Sequence, residues 1–403
     1  MVEWHEKTLG EVTAFITKGI PPKYTEEENE NTIRVLNQKC NRNFEISYSE
    51  SRIHDCTKKK VPADKMLKVG DVLINSTGTG TAGRVAQMVE VKVPTTMDGH
   101  MILIRPSEEL EPIYYGYAVK AFQSQIEGLA EGSTGQTEIN RRRLQDEVII
   151  RYPSDKTVQR NIGNFLANID GKIKTNTAIN ENLLEQALAI YKAWFCDYTL
   201  SEGTFPENWH ITTIDEISSL VSRGIAPKYD DNSDQIVLNQ KCIRDHTIDI
   251  SLARRHLPKK INEKWIEKGD LLINSTGTGT LGRVAQVWFD ANNMTVDSHV
   301  TIVRPKDSIL QNYIGFWGLS HESEIEAQHT GSTGQTELPR DRVKSMKLPL
   351  PDEDTLRKFN GIIMPMTSAV ASNQEENTRL SLLRDSLLPK LLSGEIDVSA
   401  INL

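Results

Sequence analysis

The sequence predicts an α+β protein made of two similar strand-rich domains, each followed by a long helix. Three observations carry that prediction. Residues 74–87 read INSTGTGTAGRVAQ and residues 273–286 read INSTGTGTLGRVAQ, so one block recurs 199 residues on with a single change. The same shift carries GSTGQTE at 132–138 onto 331–337, and Asp98 and His100 onto Asp297 and His299. Beyond residues 153 and 351, Gly and Pro thin out and a helical period takes over. A repeat near half of a 403-residue chain is too long for a stacked solenoid, and each half is long enough to bury its own core.

The elements follow in order. In the first domain (1–152), KGIPPKY at 18–24 and VLNQKC at 35–40 precede the glycine block and recur as RGIAPKY at 223–229 and VLNQKC at 237–242. Residues 71–75 (DVLIN) read as a strand entering a Gly/Thr loop, and 84–93 alternate as a second strand. HMILIR at 100–105 is a third strand, and the apolar spacing over 113–129 predicts a helix. The second domain (201–350) repeats this plan with strands at 271–274, 283–289 and 299–304 and a helix near 313–328.

The helical segments are 153–200 and 351–403. In the first, steps of four and three link Ile162, Leu166, Ile169, Ile173, Asn176, Asn180, Leu183, Ala187, Ile190 and Trp194. In the second, the same steps run from Phe359 through Ile363, Met366, Val370, Asn373, Asn377, Leu380, Arg384 and Leu387 to Leu391. Sustained heptads predict a coiled coil, and polar seam residues fix register and partner number. The four Asn therefore set an antiparallel register in which Asn176 meets Asn377 and Asn180 meets Asn373. That register also pairs Ile173 with Leu380, Leu183 with Val370, Leu166 with Leu387 and Trp194 with Phe359. It leaves Ile169 opposite Arg384, which is expected to snorkel. Pro365 is expected to kink the second helix. The predicted whole is pseudo-twofold symmetric, with two domains separated by a pair of long antiparallel helices.

Composition excludes several classes. Hydrophobic residues are 38% and charged residues 25%, and no run approaches the roughly 18 apolar residues of a membrane helix. Residues 1–12 (MVEWHEKTLGEV) lack the pattern of a secretion signal, so the cytoplasm is the expected setting. The four cysteines form no CxxC pair, which argues against a metal site. A net charge of −8 does not exclude nucleic acid, because binding follows local charge, and basic clusters stand at 58–60, 141–143, 254–260 and 340–344.

Gly78, Gly80 and Gly83 match GxGxxG, as do Gly277, Gly279 and Gly282, with Asp98 and Asp297 about 20 residues on. The alternative function is therefore a stand-alone nucleotide-binding enzyme using these loops. A dinucleotide site needs a helix N-terminus after the glycines, whereas a strand is predicted there. Phosphate-loop, HExxH and GxSxG signatures are missing, and so is an amino-methyltransferase NPPY-type motif. His100 and His299 are read as structural residues opening a strand.

The loops suit DNA better. Thr77, Thr79 and Thr81, and their counterparts Thr276, Thr278 and Thr280, offer hydroxyls beside glycines that let another backbone approach, with Arg84 and Arg283 next to them. Asn37, Gln38 and Lys39, with Asn239, Gln240 and Lys241, supply groups able to pair with adenine or guanine edges. Gln136 and Gln335 precede the basic residues Arg141, Arg142, Arg340 and Arg342. The same residue types also cap turns.

With these blocks in view, the chain resembles the specificity (S) subunit of type I restriction–modification systems over essentially its whole length. The carriers are the INSTGTGT–GRVAQ and GSTGQTE blocks and the matched helices. They also include YKAWF at 191–195, PENW at 206–209 and the ending LLPKLLSGEIDV at 387–398. The resemblance implies two target-recognition domains, each reading half of a split double-stranded DNA sequence, with the helices setting the gap. It implies no catalysis and no cofactor in this chain. Two modification (M) subunits would bring S-adenosylmethionine and methylate adenine N6. A restriction (R) subunit using ATP and Mg would join in some systems.

Overall fold

Short β-branched runs bounded by glycine turns pair into small sheets, and the glycine-poor, apolar-periodic stretches form the long helices. The computed structural model describes residues 2–132, 137–258, 264–331 and 336–396. By internal packing the chain divides into two units, Met1–Lys174 with Asn377–Leu403, and Thr175–Glu376. Helix α1 (Lys156–Phe195) and helix α2 (Glu353–Ser393) each contribute a segment to both units. The α+β class and the duplicated strand-rich domain are thus present.

In the first unit, Val72–Asn75 is wholly buried and lies between Met101–Pro106 and Val85–Gln87 in an antiparallel sheet that Thr13–Lys18 completes. A second sheet orders Thr95–Met97, Thr32–Leu36, Arg52–Asp55 and Tyr24–Thr25, and its first pair is parallel. Trp4–Thr8 pairs with Ile149–Pro153 next to the start of α1. Tyr114, Tyr115, Ile162 and Leu166 share a core with Leu388 and Leu391 of α2.

The second unit repeats the plan. Ser218–Arg223, Val300–Pro305, Leu271–Asn274 and Val284–Gln286 form the antiparallel sheet. Arg254–Arg255, Ile236–Leu238 and Met294–Val296 form the mixed one. His210–Thr213 pairs with Lys347–Leu350. Tyr191, Phe195, Tyr313 and Phe359 pack as an aromatic core.

Three local expectations change. The strand expected over 84–93 pairs only at Val85–Gln87. The helix expected over 113–129 is two, Pro112–Ala121 and Gln123–Gly128, interrupted at Phe122; its repeat divides in the same way at His321. Helix α2 runs through Pro365 as one assigned helix.

The helix register holds inside the second unit. Asn373 Nδ2 donates to Asn180 Oδ1 at 2.8 Å, and the Trp194 and Phe359 rings lie 6.0 Å apart, so the segments run antiparallel. Asn176 donates to Glu376 at 2.7 Å. In the first unit Arg384 does not snorkel. It pairs with Asp170, one residue past the seam position, at 2.6 Å, and both side chains are largely covered. Tyr117 donates its hydroxyl to the same carboxylate at 2.6 Å and Lys120 lies 3.6 Å from it. Burial pulls the Lys120 ammonium below its ordinary value, and Asp170 draws it back up. The repeat-equivalent positions in the second unit, Phe316, Leu319, Thr367 and Ala187, are all buried and carry no charge.

Candidate nucleic-acid interface

The glycine block is a hairpin connection. Val72–Asn75 enters it and Val85–Gln87 leaves it, antiparallel, with Gly83 N–H donating to the Asn75 carbonyl at 2.8 Å. Gly78 has φ +114 and Gly277 has φ +105, the left-handed region that only glycine enters without strain. No helix N-terminus follows either loop, so neither can cradle a pyrophosphate in the Rossmann manner.

Around this loop the other repeated blocks converge. Asn75, buried, donates to the Gln38 carbonyl at 3.0 Å, and Thr77 Oγ1 lies 3.4 Å from Gln38 Oε1. Thr77 Oγ1 is also hydrogen-bonded to His100 Nδ1 at 2.7 Å. The Asp98 carboxylate accepts the His100 N–H at 2.9 Å. Ile139 N–H donates to the Ser76 carbonyl at 2.7 Å, which ties the GSTGQTE block to the loop, and Glu138 pairs with Lys18. Gly19 lies so close to the Asp98 and Met97 carbonyls that a side chain there would collide with them.

The second unit builds the same cluster. Asn274 reaches the Gln240 carbonyl at 3.0 Å, Thr276 bonds His299 Nδ1 at 2.6 Å, and His299 N–H reaches Asp297 at 2.8 Å. Leu338 N–H donates to the Ser275 carbonyl at 2.8 Å, and Glu337 pairs with Arg223 at 2.7 Å.

Burial pushes the Asp98 and Asp297 carboxyls upward, and the hydrogen bonds from the His100 and His299 N–H groups oppose it. Burial and then Arg141 push the Lys18 ammonium down; burial and then Arg340 do the same to Lys264. Cations from separate elements therefore gather at the same edge in both units. In the first, Lys18, Glu138, Asn140, Arg141 and Arg142 line an open cleft of about 530 Å³. Cys40 and Cys242 lie under the VLNQKC turns, where burial pushes their thiols up to about 11.

The residues singled out from the sequence divide by what holds them. Asn37 and Asn239 cap their own turns: each oxygen accepts from the N–H of Lys39 or Lys241 at 2.8 Å, and each amide donates to Glu50 or Leu252. Thr81 and Thr280 bond back to the carbonyls of Thr77 and Thr276. Arg84 donates to the Gly80 carbonyl at 2.9 Å, and Arg283 is half-buried. Lys39, Lys241, Thr79, Thr278, Arg141, Arg142, Arg340 and Arg342 are exposed, and Gln38, Gln240, Thr77 and Thr276 are half-buried within the cluster. Gln136 and Gln335 lie outside the described residues.

His100 and His299, read from the sequence as structural, have exposed side chains whose rings are held by Thr77 and Thr276. Their backbone role and their ring role coexist. The D-x-H spacing common to both repeats was the available signal. Among the described residues no group of His, Cys, Asp and Glu could hold a metal ion, and no helix is long and apolar enough to cross a membrane.

Residues 1–185 and 206–379 match the family described as type I restriction modification DNA specificity domain. The chain is 23% identical to the type I restriction enzyme MjaIX specificity subunit of Methanocaldococcus jannaschii, over 99% of this chain and 95% of that one. It is 20% identical to the HindI specificity subunit of Haemophilus influenzae, over 98% and 100%. Its fold is similar to the crystal structure of a type I restriction-modification S subunit from M. genitalium, with a TM-score of 0.59 at 17% identity over 97% and 96%.

Proposed function

We infer the function from one premise: the chain belongs to the type I restriction-modification DNA specificity family. It is the DNA-sequence-recognition subunit of such a system and not itself a catalyst. It binds DNA and assembles with other subunits. In our reading each repeat reads one half of a split double-stranded target through its loop cluster. The observation that supports this is the convergence of the same five sequence blocks, far apart in the chain, into one polar, cation-edged cluster in each unit. Hydroxyls, amides and cations displayed together are the groups that hold phosphates and read base edges.

The finer assignments are part of the proposal. Two M subunits bring S-adenosylmethionine and methylate adenine N6. An R subunit with ATP and Mg joins where restriction is present. This chain holds no cofactor of its own and works in the cytoplasm. Single-molecule sequencing of DNA methylated by the complex tests the reading. A bipartite motif is expected, and Thr77→Val with His100→Ala should alter one half of it. Loss of neither half in that variant would remove the loop cluster from recognition.

A further inference from the structure

Between residues 41–58 and 243–260 the two repeats differ at most positions, yet Arg52 and Arg254 correspond. The Arg52 guanidinium lies over the Tyr24 ring, 3.5 Å from its centroid, and Arg254 lies over Tyr229 at 3.4 Å. The two tyrosines close the recurring KGIPPKY and RGIAPKY blocks. Strand pairing fixes the stack: Tyr24 lies opposite His54, and Arg52 opposite Val35, two residues before the Asn37 turn. His54 is fully buried and accepts the Lys23 N–H at 2.8 Å, and His256 accepts the Lys228 N–H at 3.2 Å, so each tyrosine backbone is pinned.

Both arginines are exposed. Among the described residues neither is ion-paired, while the neighbouring Arg255 lies 3.8 Å from Asp234 and Arg244 lies 3.2 Å from Asp245. The Asp98 carboxyl, raised by burial, is drawn back in small part by the Arg52 charge. A guanidinium laid flat on a ring has lost much of its side-chain freedom before any ligand arrives, and its donor fork keeps a fixed plane. A phosphate contact needs only charge. A preset planar fork suits two parallel acceptors in one plane, which the O6 and N7 of guanine present in the major groove.

We propose that Arg52 and Arg254 are specificity-determining residues, each reading one guanine, one in either half of the split target. The proposal rests on the DNA-reading function above and adds the base and the residue. It is tested with the full-length chain in its modification complex. Wild type, Arg52→Gln, Arg52→Lys and Arg254→Gln are compared by methylome sequencing and by competition binding to duplexes varied one base at a time. Arg52→Gln should reduce discrimination for one guanine by about tenfold or more in one half-site only. Arg254→Gln should do so in the other half. Arg52→Lys should keep overall affinity but lose the same preference, and Tyr24→Leu should weaken it with the charge intact. The untouched half-site in each variant reports that the chain is folded. A wild-type motif lacking guanine in either half, an unchanged motif in Arg52→Gln, or a uniform loss of affinity for all sequences would overturn the proposal and leave the DNA-reading function standing. A wild-type complex without sequence preference would overturn the function itself.

Discussion

The Asn373 amide donates to the Asn180 side-chain oxygen at 2.8 Å, from α2 to α1, inside the second unit. Asn180 also reaches the Val370 carbonyl at 3.4 Å. Two polar residues placed at seam positions thus satisfy each other where an apolar pair would pack.

Such a layer trades stability for a unique register. Asn180→Ala alone strands the Asn373 amide and should cost about 1–3 kcal/mol. Asn180→Leu with Asn373→Leu should raise the melting temperature but broaden the distribution of species in light scattering. A double variant that is less stable than wild type and still a single species would contradict the assignment.

Asp352 caps α2. It accepts from the Thr355 N–H at 3.0 Å and hydroxyl at 2.7 Å, from the Trp209 indole at 3.0 Å and from Asn208 at 3.1 Å. Burial opposes ionisation, but the hydrogen bonds from Thr355, Trp209 and Asn208 outweigh it and hold the carboxyl down at about 2, below its ordinary 3.8. A depressed carboxyl stabilises the fold fully above its unfolded value and loses that contribution as pH falls toward its folded one. Stability should therefore fall between roughly pH 4 and pH 2. Asp352→Asn should flatten that acid limb in urea titrations at stepped pH. An unchanged limb would assign acid sensitivity elsewhere.

The two repeats diverge at 41–60 against 243–260 and at 139–143 against 338–342, while the loop clusters match. Matching surfaces should read related bases, so the split target should be wholly or partly an inverted repeat. Exchanging 41–60 for its counterpart should change one half-site and leave the other. Methylome sequencing that returned two unrelated halves would refute the inverted-repeat claim.

One heptad lengthens a helix by about 10 Å, roughly three base pairs of DNA. Adding a heptad to α1 and to α2 at matched positions should widen the gap between half-sites without altering either. A fixed gap with altered half-sites would show that the helices do not set the spacing.

The duplication, the strand–loop blocks and both long helices were legible because they are local patterns of period two, period 3.6 or outright repetition. What stayed hidden depends on partners distant in sequence. The Asn37 amide is taken by the carbonyl of Glu50, so a residue that looked free to read adenine serves its own turn. The helix expected over 113–129 gives no local sign of the break at Phe122. Arg384 looked like a lone seam defect because Asp170 sits one residue off the heptad position.

That last pair makes the two halves of the gene unequal heirs of one ancestor. In the first unit a carboxylate from α1 is neutralised by an arginine from α2 and flanked by Lys120 and Tyr117. The duplicate of Arg384 is Ala187, and the duplicate of Asp170 is Thr367. A half-length chain assembling with its own copy would offer Ala187 where Arg384 stands, and would leave the Asp170 carboxylate to Lys120 and Tyr117 alone. A loop cluster can be exchanged between the two halves without touching this contact, but Tyr117, Lys120, Asp170 and Arg384 must stay together for it to form.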